Sequence, residues 1–167
     1  MGERYFPIGE VQYPAVVMDS CVYFCARDYN VYALHLQTGR GLWVFHEPGS
    51  WTSVPSLAGN TLLVTTSDSH RAIGFDAMYG GVKWTVPVNL NVFSAITVTN
   101  GNGYMGTLDG ELYKIDLNSG KSSKIFQTQA RQQHAARFFD KSTGKLIHNL
   151  MDLYKGDYIK MYADFLD

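Results

Sequence analysis

The 167-residue sequence predicts an all-β fold, a β-propeller whose blades each contain four antiparallel strands. Three observations lead to this class: a repeat of about 40 residues, residue patterns typical of short strands within each repeat, and a glycine turn at the same place in each. We expect three such blades, then a partial, irregular fourth blade and a C-terminal amphipathic helix.

The repeat is clearest around three turn glycines, Gly39, Gly80 and Gly120, which lie 41 and 40 residues apart. In the first two units a tryptophan, Trp43 or Trp84, follows four residues after the glycine. The matching stretches are YALHLQTGRGLW, IGFDAMYGGVKW and YKIDLNSGKSSK. Their spacing predicts blades over residues of about 10–50, 51–90 and 91–127.

Each residue type that recurs in the repeat has a structural role that explains its position. The turn glycines stand where a tight turn requires positive φ, which glycine adopts at little cost. Asp76 and Asp116 precede two of the turns, where a carboxylate oxygen can accept backbone N–H bonds. His35 takes the place of aspartate in the first unit, so we expect that turn to be held less tightly. Trp43 and Trp84 are expected to cover the gap between adjacent blades.

The stretches LHLQTGRGLW, GFDAMYGGVKW and KIDLNSGKSSKI resemble the PQQ-like, or quinoprotein-type, propeller repeat. The resemblance covers residues of about 10 to 127 and is specific for the fold. The family includes alcohol and sugar dehydrogenases, an outer-membrane assembly lipoprotein and many binding or scaffold proteins. The resemblance therefore implies a non-catalytic scaffold, or a protein- or ligand-binding module, in the periplasm or cell envelope. The alternative is part of a pyrroloquinoline-quinone-dependent dehydrogenase.

The dehydrogenase alternative would require pyrroloquinoline quinone and calcium. Enzymes of that type use an adjacent pair of cysteines, a calcium site of Glu, Asn and Asp, and a catalytic Asp. The two cysteines here, Cys21 and Cys25, are four residues apart on a predicted strand, about 13 Å along it. A disulfide spans at most about 7 Å between Cα atoms. We therefore expect two buried free thiols. Because the cysteines are not adjacent and no acidic group can be matched to the calcium site or the catalytic Asp, we expect no catalytic, cofactor-binding or metal-binding residues and no enzymatic activity.

Aromatic residues in the predicted loops are the candidates for contact with a ligand or a partner. They are Trp51, Tyr29, Tyr79 and Phe93. Loops carry much of the binding in rigid scaffolds, and aromatic side chains are enriched at interfaces. Trp51 is the most suggestive, because it follows the loop sequence EPGS, where no core strand requires it. Packing over a neighbouring blade is the alternative for this residue.

Charge and hydropathy narrow the classes of partner. The net charge is −1 and the Lys and Arg residues form no cluster, which argues against nucleic-acid binding. No apolar run approaches the roughly 18 residues of a membrane-spanning helix. The first residues, MGERYFPIGEV, contain no apolar core of a signal peptide.

The repeat breaks down after Gln127. Gly144 follows Gly120 by only 24 residues, so 138–147 is predicted as a strand, turn and strand, with the two preceding strands missing or replaced by 128–134. Apolar residues at helical spacing predict an amphipathic helix over 150–166. Propellers close with about 4 to 8 blades. We therefore expect either a fragment of a larger propeller, whose remaining blades are the partners, or a homo-oligomer that completes one ring.

Overall fold

The computed structural model describes residues 9–140 and 142–143. Within them, twelve strands form three separate four-stranded antiparallel sheets, each with its strands in chain order, and one α-helix follows. The predicted all-β fold of four-stranded blades is confirmed. We number the sheets blade 1 to blade 3 along the chain.

The strands are short and every pairing is with a neighbour in sequence. Blade 1 contains β1 (Val16–Met18), β2 (Cys21–Cys25), β3 (Asn30–His35) and β4 (Gly41–His46). Blade 2 contains β5 (Ser56–Ala58), β6 (Thr61–Thr65), β7 (Arg71–Asp76) and β8 (Val82–Pro87). Blade 3 contains β9 (Thr97–Thr99), β10 (Asn102–Gly106), β11 (Glu111–Asp116) and β12 (Ser122–Gln127). The helix α1 is Gln129–Phe138.

Alternate residues of a strand point to opposite faces of its sheet, so each blade has two faces. In blades 1 and 2 we call the face that carries the tryptophan the forward face and the opposite one the rear face. In blade 3 the rear face is the one that packs against blade 2. In blade 1, Tyr23 and Cys25 of β2 lie on the forward face, in the core shared with blade 2. Val22 and Phe24 alternate with them and lie on the rear face.

Two apolar cores join the blades. The first packs the forward face of blade 1 against the rear face of blade 2, and the second does the same for blades 2 and 3. Blade 2 is therefore covered on both sides, and every residue of β6 is buried. The buried members of the first core are Tyr23, Cys25, Val31, Ala33, Trp43, Leu62, Val64, Ile73, Phe75 and Ala77. Those of the second are Leu63, Ala72, Trp84, Val86, Val92, Ile96, Met105, Tyr113, Ile115 and Leu117.

The first strands of blades 2 and 3 lie against each other. β5 and β9 contact each other, and the Ser56 hydroxyl donates a hydrogen bond of 2.8 Å to the Ile96 carbonyl. Antiparallel order also separates the connections into two sets. One end of the sheets, the turn end, carries the turns at Gly39, Gly80 and Gly120. The other, the loop end, carries the connections that follow β2, β4, β6, β8 and β10.

The chain after blade 3 differs from the sequence-based expectation. α1 occupies 129–138, where no helix was predicted, and Phe138, expected in a strand, is its last residue. The Thr128 side chain accepts a hydrogen bond from the Arg131 N–H and caps the helix. Asp140 then accepts the N–H bonds of the next turn, as Asp76 does in blade 2. The predicted Gly144 turn and the helix over 150–166 lie outside the described residues.

Candidate interaction surface

Trp43 ties blade 1 to the turn of blade 2. Its indole N–H donates a hydrogen bond of 2.9 Å to the Ala77 carbonyl, and its ring covers Gly80. Gly80 has φ of 74°, and a Cβ atom added there would lie 2.7 Å from the Trp43 ring. Glycine is therefore required twice at this turn, by the backbone conformation and by the ring above it.

Trp84 makes the same connection one blade further on. Its indole N–H donates a hydrogen bond of 3.0 Å to the Leu117 carbonyl, and a Cβ atom at Gly120 would lie 2.6 Å from its side chain. Beneath the ring, Gly74 leaves no room for a side chain, because an added Cβ would overlap Trp84. The residues predicted to bridge the blades thus lie between them.

The aspartates of the repeat accept hydrogen bonds from other residues of their own turns. Asp76 Oδ1 accepts the N–H groups of Met78 and Tyr79, both at 3.0 Å. Asp116 Oδ1 accepts the hydroxyl and the N–H of Ser119, and these bonds hold the pKa of the Asp116 carboxyl below its usual value. At His35 the backbone bonds of the turn remain, but the buried Nδ1 has no hydrogen-bond partner among the described residues.

Three of the four aromatic candidates share one end of the molecule. Tyr29, Trp51 and Phe93 lie in connections of the loop end, and all three side chains are partly exposed. Tyr29 meets the His46 ring edge-on at 6.4 Å. Tyr79 is the most exposed of the four but lies on the turn end of blade 2, away from the others.

Trp51 is fixed by backbone bonds and lies against a cation. Its N–H donates to the Ser67 hydroxyl at 3.0 Å, and its carbonyl accepts from the Ser67 N–H at 2.9 Å. The Arg27 guanidinium lies 3.9 Å from the centre of the indole, a cation–π contact, and the side chain of Trp51 is still 41% exposed. A shallow cleft beside the pair is lined by Glu10, Gln12, Tyr13, Cys25, Ala26 and Thr52. Sequence reasoning missed Arg27, since no local pattern links it to Trp51.

An ion pair between a buried carboxylate and a partly exposed arginine lies at the loop end between blades 1 and 2. Glu47 follows β4 and is 1% exposed, and Arg71 opens β7. The Arg71 Nε donates to Glu47 Oε1 at 3.0 Å and its Nη2 to Oε2 at 2.5 Å. Bidentate pairs of this kind are strong and directional. The pair fixes the connection that carries Trp51.

A second charged cluster joins blade 3 to α1. Arg131 of the helix lies between two buried carboxylates, 3.2 Å from Asp109 and 3.4 Å from Glu111, and Lys124 lies 2.9 Å from Glu111. Burial raises the pKa of Asp109. Burial also acts to raise the pKa of Glu111, but hydrogen bonds from Lys124 and Tyr113 outweigh it and hold that pKa below the usual value.

The described residues do not fit a quinone and calcium site. Cys25 is buried in the core and its burial raises the pKa of the thiol to about 12, while Cys21 is half-buried; both are free thiols. The buried carboxylates Asp109 and Glu111 are already engaged by Arg131 and Lys124. Over residues 9–140 and 142–143 there is no group of three His, Cys, Asp or Glu side chains placed to hold a metal ion.

No helix in the described part of the chain has the length and apolar character needed to cross a membrane.

Comparison with known proteins agrees with this geometry. A curated outer membrane protein assembly factor BamB from Nitrosomonas eutropha is 29% identical over 89 residues, which are 50% of this chain and 22% of the relative. The crystal structure of BamB from Moraxella catarrhalis superposes with a TM-score of 0.60 at 21% identity, covering 69% of this chain and 36% of that chain. Quinohemoprotein alcohol dehydrogenase from Comamonas testosteroni shares the fold, with a TM-score of 0.60, 19% identity, and coverage of 80% and 25%.

The chain spans less than a quarter of the curated relative that it matches. A family model described as outer membrane protein assembly factor BamB matches residues 10–150 of this sequence. This match includes all three blades and α1. The chain therefore belongs to the BamB family of PQQ-like repeat propellers.

Proposed function

We propose that the chain acts as a non-catalytic propeller scaffold that binds a protein partner in the bacterial cell envelope. The observation that carries this proposal is the pair of Trp51 and Arg27, held on the loop end of the blades with the indole partly exposed. Trp and Arg are the residue types enriched at the energetic centres of protein interfaces.

The rigidity of this surface favours binding. Backbone bonds fix Trp51 on both sides, and the Glu47–Arg71 pair anchors the same connection to blade 2. A surface that is already ordered loses little conformational entropy when a partner binds. Tyr29 and Phe93 are two further exposed aromatic side chains on the same end of the molecule.

Membership of the family supports a proposal about the class of protein that this chain binds. The relative from Nitrosomonas eutropha is an outer membrane protein assembly factor. We infer that the partner of this chain is a protein of the outer-membrane protein assembly machinery, and that the chain acts in the envelope. The second candidate function, a dehydrogenase, is supported by a fold shared with quinohemoprotein alcohol dehydrogenases at 18% to 19% identity.

Photo-crosslinking tests the surface. A photoreactive phenylalanine analogue is placed at Trp51 in one variant and at Tyr79, on the turn end, in a matched control, and both are expressed in the envelope of a Gram-negative host. We expect the Trp51 position to crosslink to a component of the outer-membrane assembly machinery, identified by mass spectrometry, and the Tyr79 position not to do so. Equal crosslinking at both positions, or none at Trp51, would refute the proposed surface.

The dehydrogenase candidate is tested by equilibrium dialysis with pyrroloquinoline quinone and Ca²⁺, followed by a dye-linked alcohol oxidation assay. We expect no stoichiometric uptake of the quinone, because the described carboxylates and thiols do not fit it. Uptake of one quinone per chain together with dye reduction would replace the scaffold proposal.

A further inference from the structure

Three neighbouring strands of blade 1 carry sulfur and imidazole side chains in one row. The strand register places Met18 of β1 directly opposite Cys21 of β2, and Cys21 directly opposite His35 of β3. Residues opposite each other in antiparallel strands share a face, with Cβ atoms about 4.5–5.5 Å apart. Met18 and Cys21 pack against the first core, so the Met18–Cys21–His35 row lies on the forward face of blade 1. All three residues stand at the turn end of their strands.

The same row in the other two blades contains neither sulfur nor imidazole. The register positions are occupied by Ala58, Thr61 and Asp76 in blade 2 and by Thr99, Asn102 and Asp116 in blade 3. Asp76 and Asp116 accept hydrogen bonds from their own turns, which explains why the repeat carries aspartate there. In blade 1 the turn forms with backbone bonds alone, so turn formation does not explain the choice of His35.

Two buried polar atoms at this row have no hydrogen-bond partner among the described residues. The first is Nδ1 of His35. The second is the hydroxyl of Tyr23, a fully buried residue that follows Cys21 by two positions and lies on the same face. This hydroxyl is close to the Cys21 thiol, but no described residue forms a well-aligned hydrogen bond with it. Buried polar atoms are normally satisfied by protein, water or an ion. The two atoms therefore indicate a group bound beside Cys21.

The ligand atoms of the row select one class of metal ion. Thiolate and thioether sulfur bind soft ions such as Cu(I), whereas calcium and magnesium take oxygen ligands. Zinc takes Cys, His and carboxylate ligands, and the described residues contain no group of three such side chains. One thiolate also neutralises the single charge of Cu(I), so the occupied site is neutral. A neutral site suits a half-buried position, because burial of an uncompensated charge is strongly unfavourable.

We propose that this row binds the soft monovalent ion Cu(I), with Met18 Sδ, Cys21 Sγ and His35 Nδ1 as its ligands. The ion replaces the proton of the Cys21 thiol, which is released to the solvent, and no electron is transferred. The Tyr23 hydroxyl then donates a hydrogen bond to the thiolate and orients it. The sequence predicted no metal-binding residues, because the spacing of the cysteines does not reveal which residues the register brings beside Cys21. The proposal does not depend on the proposed function, since the row lies at the turn end, away from Trp51.

Anaerobic titration of the full chain with Cu(I), in competition with a chromogenic Cu(I) chelator, tests the site. The variants Met18→Ala, Cys21→Thr and His35→Asp each introduce the residue that blade 2 carries at the same position, so the fold accommodates them. We expect Cys21→Thr to weaken binding by about a hundred-fold or more, and each of the other two by about ten-fold. Met78→Ala removes a methionine that is 55% exposed on blade 2 and should leave the affinity unchanged. X-ray absorption at the copper edge should show mixed sulfur and nitrogen ligation.

Three results would overturn the proposal. The first is a native chain that retains no Cu(I) against the chelator, or retains it as tightly after Cys21→Thr, which would mean adventitious binding elsewhere. The second is that Met18→Ala and His35→Asp both leave the affinity unchanged, which would reduce the site to a lone thiol. The third is tighter binding of Zn²⁺ than of Cu(I) in the same competition assay. If Cys21→Thr loses its β-sheet circular dichroism, Cys21→Ser is measured in its place.

Discussion

Trp43 illustrates how a single side chain can make a turn glycine irreplaceable. Gly39 and Gly80 share a left-handed backbone conformation, with φ of 66° and 74°. They differ in their surroundings, because the Trp43 ring covers Gly80 and no described atom approaches the Cβ position at Gly39. The two positions therefore separate the cost of backbone conformation from the cost of overlap.

We expect Gly39→Ala to lower the free energy of unfolding by about 1–2 kcal/mol, the cost of a Cβ atom in the left-handed region. Gly80→Ala should cost about 1–3 kcal/mol more, because the added carbon forces the Trp43 ring to move. Urea denaturation of the two variants measures the difference. Equal losses would show that the ring does not constrain the turn.

At the scale of residues, the sequence predicted the positions that recur in each repeat and missed the side-chain contacts that occur only once. Asp76, Asp116 and the two interblade tryptophans recur at a fixed spacing, so their positions could be inferred from the amino-acid pattern alone. The Arg27–Trp51 and Arg71–Glu47 contacts each join residues 24 positions apart, and the equivalent positions of the other repeats carry other residues. Nothing periodic in the sequence indicates such pairs.

The helix α1 shows the same limit at the scale of elements. Its sequence, QARQQHAARF, has no apolar stripe at helical spacing and no acidic residue in its first turn. It is anchored instead by the Thr128 cap and by Arg131, which reaches Asp109 and Glu111 on blade 3. A helix that depends on buried charges contributed by another element leaves little trace in its own sequence.

We expect Arg131→Met to lower the free energy of unfolding by about 3–5 kcal/mol at neutral pH, because Asp109 is then buried without its cation. Burial already raises the pKa of Asp109, and loss of the Arg131 cation, which lowers that pKa, raises it further in the variant. The loss in the variant should therefore shrink as the pH falls through that raised pKa and grow as the pH rises above it. Urea denaturation as a function of pH measures this trend.

Arg131→Lys is the matched control for the charge and should retain part of the stability. The variant that combines Arg131→Met with Asp109→Asn should be less destabilised than Arg131→Met alone, because no unpaired carboxylate remains at position 109. A loss that does not depend on pH, or a double variant as unstable as the sum of the single changes, would show that Arg131 acts only through packing.

At the scale of the whole molecule, blade 2 is the element on which the others depend. It contributes to both apolar cores, whereas the outer strand of blade 3 is largely exposed. Phe75 in the first core is fully buried, and Phe126 on β12 is 59% exposed. Loss of Phe75 therefore weakens the contact between two blades, whereas loss of Phe126 affects one surface.

We expect Phe75→Ala to cost about 3–5 kcal/mol of unfolding free energy, as large-to-small changes in cores do. Phe126→Ala should change it by no more than about 0.5 kcal/mol, as is usual at an exposed site. Hydrogen exchange should show that Phe75→Ala accelerates exchange in blade 1 more than in blade 3. Uniform acceleration in all three blades would mean that the chain opens as one unit.

The tryptophan-on-glycine contact also determines the symmetry of any larger assembly. Each blade offers one kind of face on one side and a different kind on the other, so contacts of this type are heterologous. An isologous pair, in which the same patch meets itself across a two-fold axis, cannot form through them. Assemblies built with these faces must be rings when the rotation per blade closes, or open superhelices when it does not.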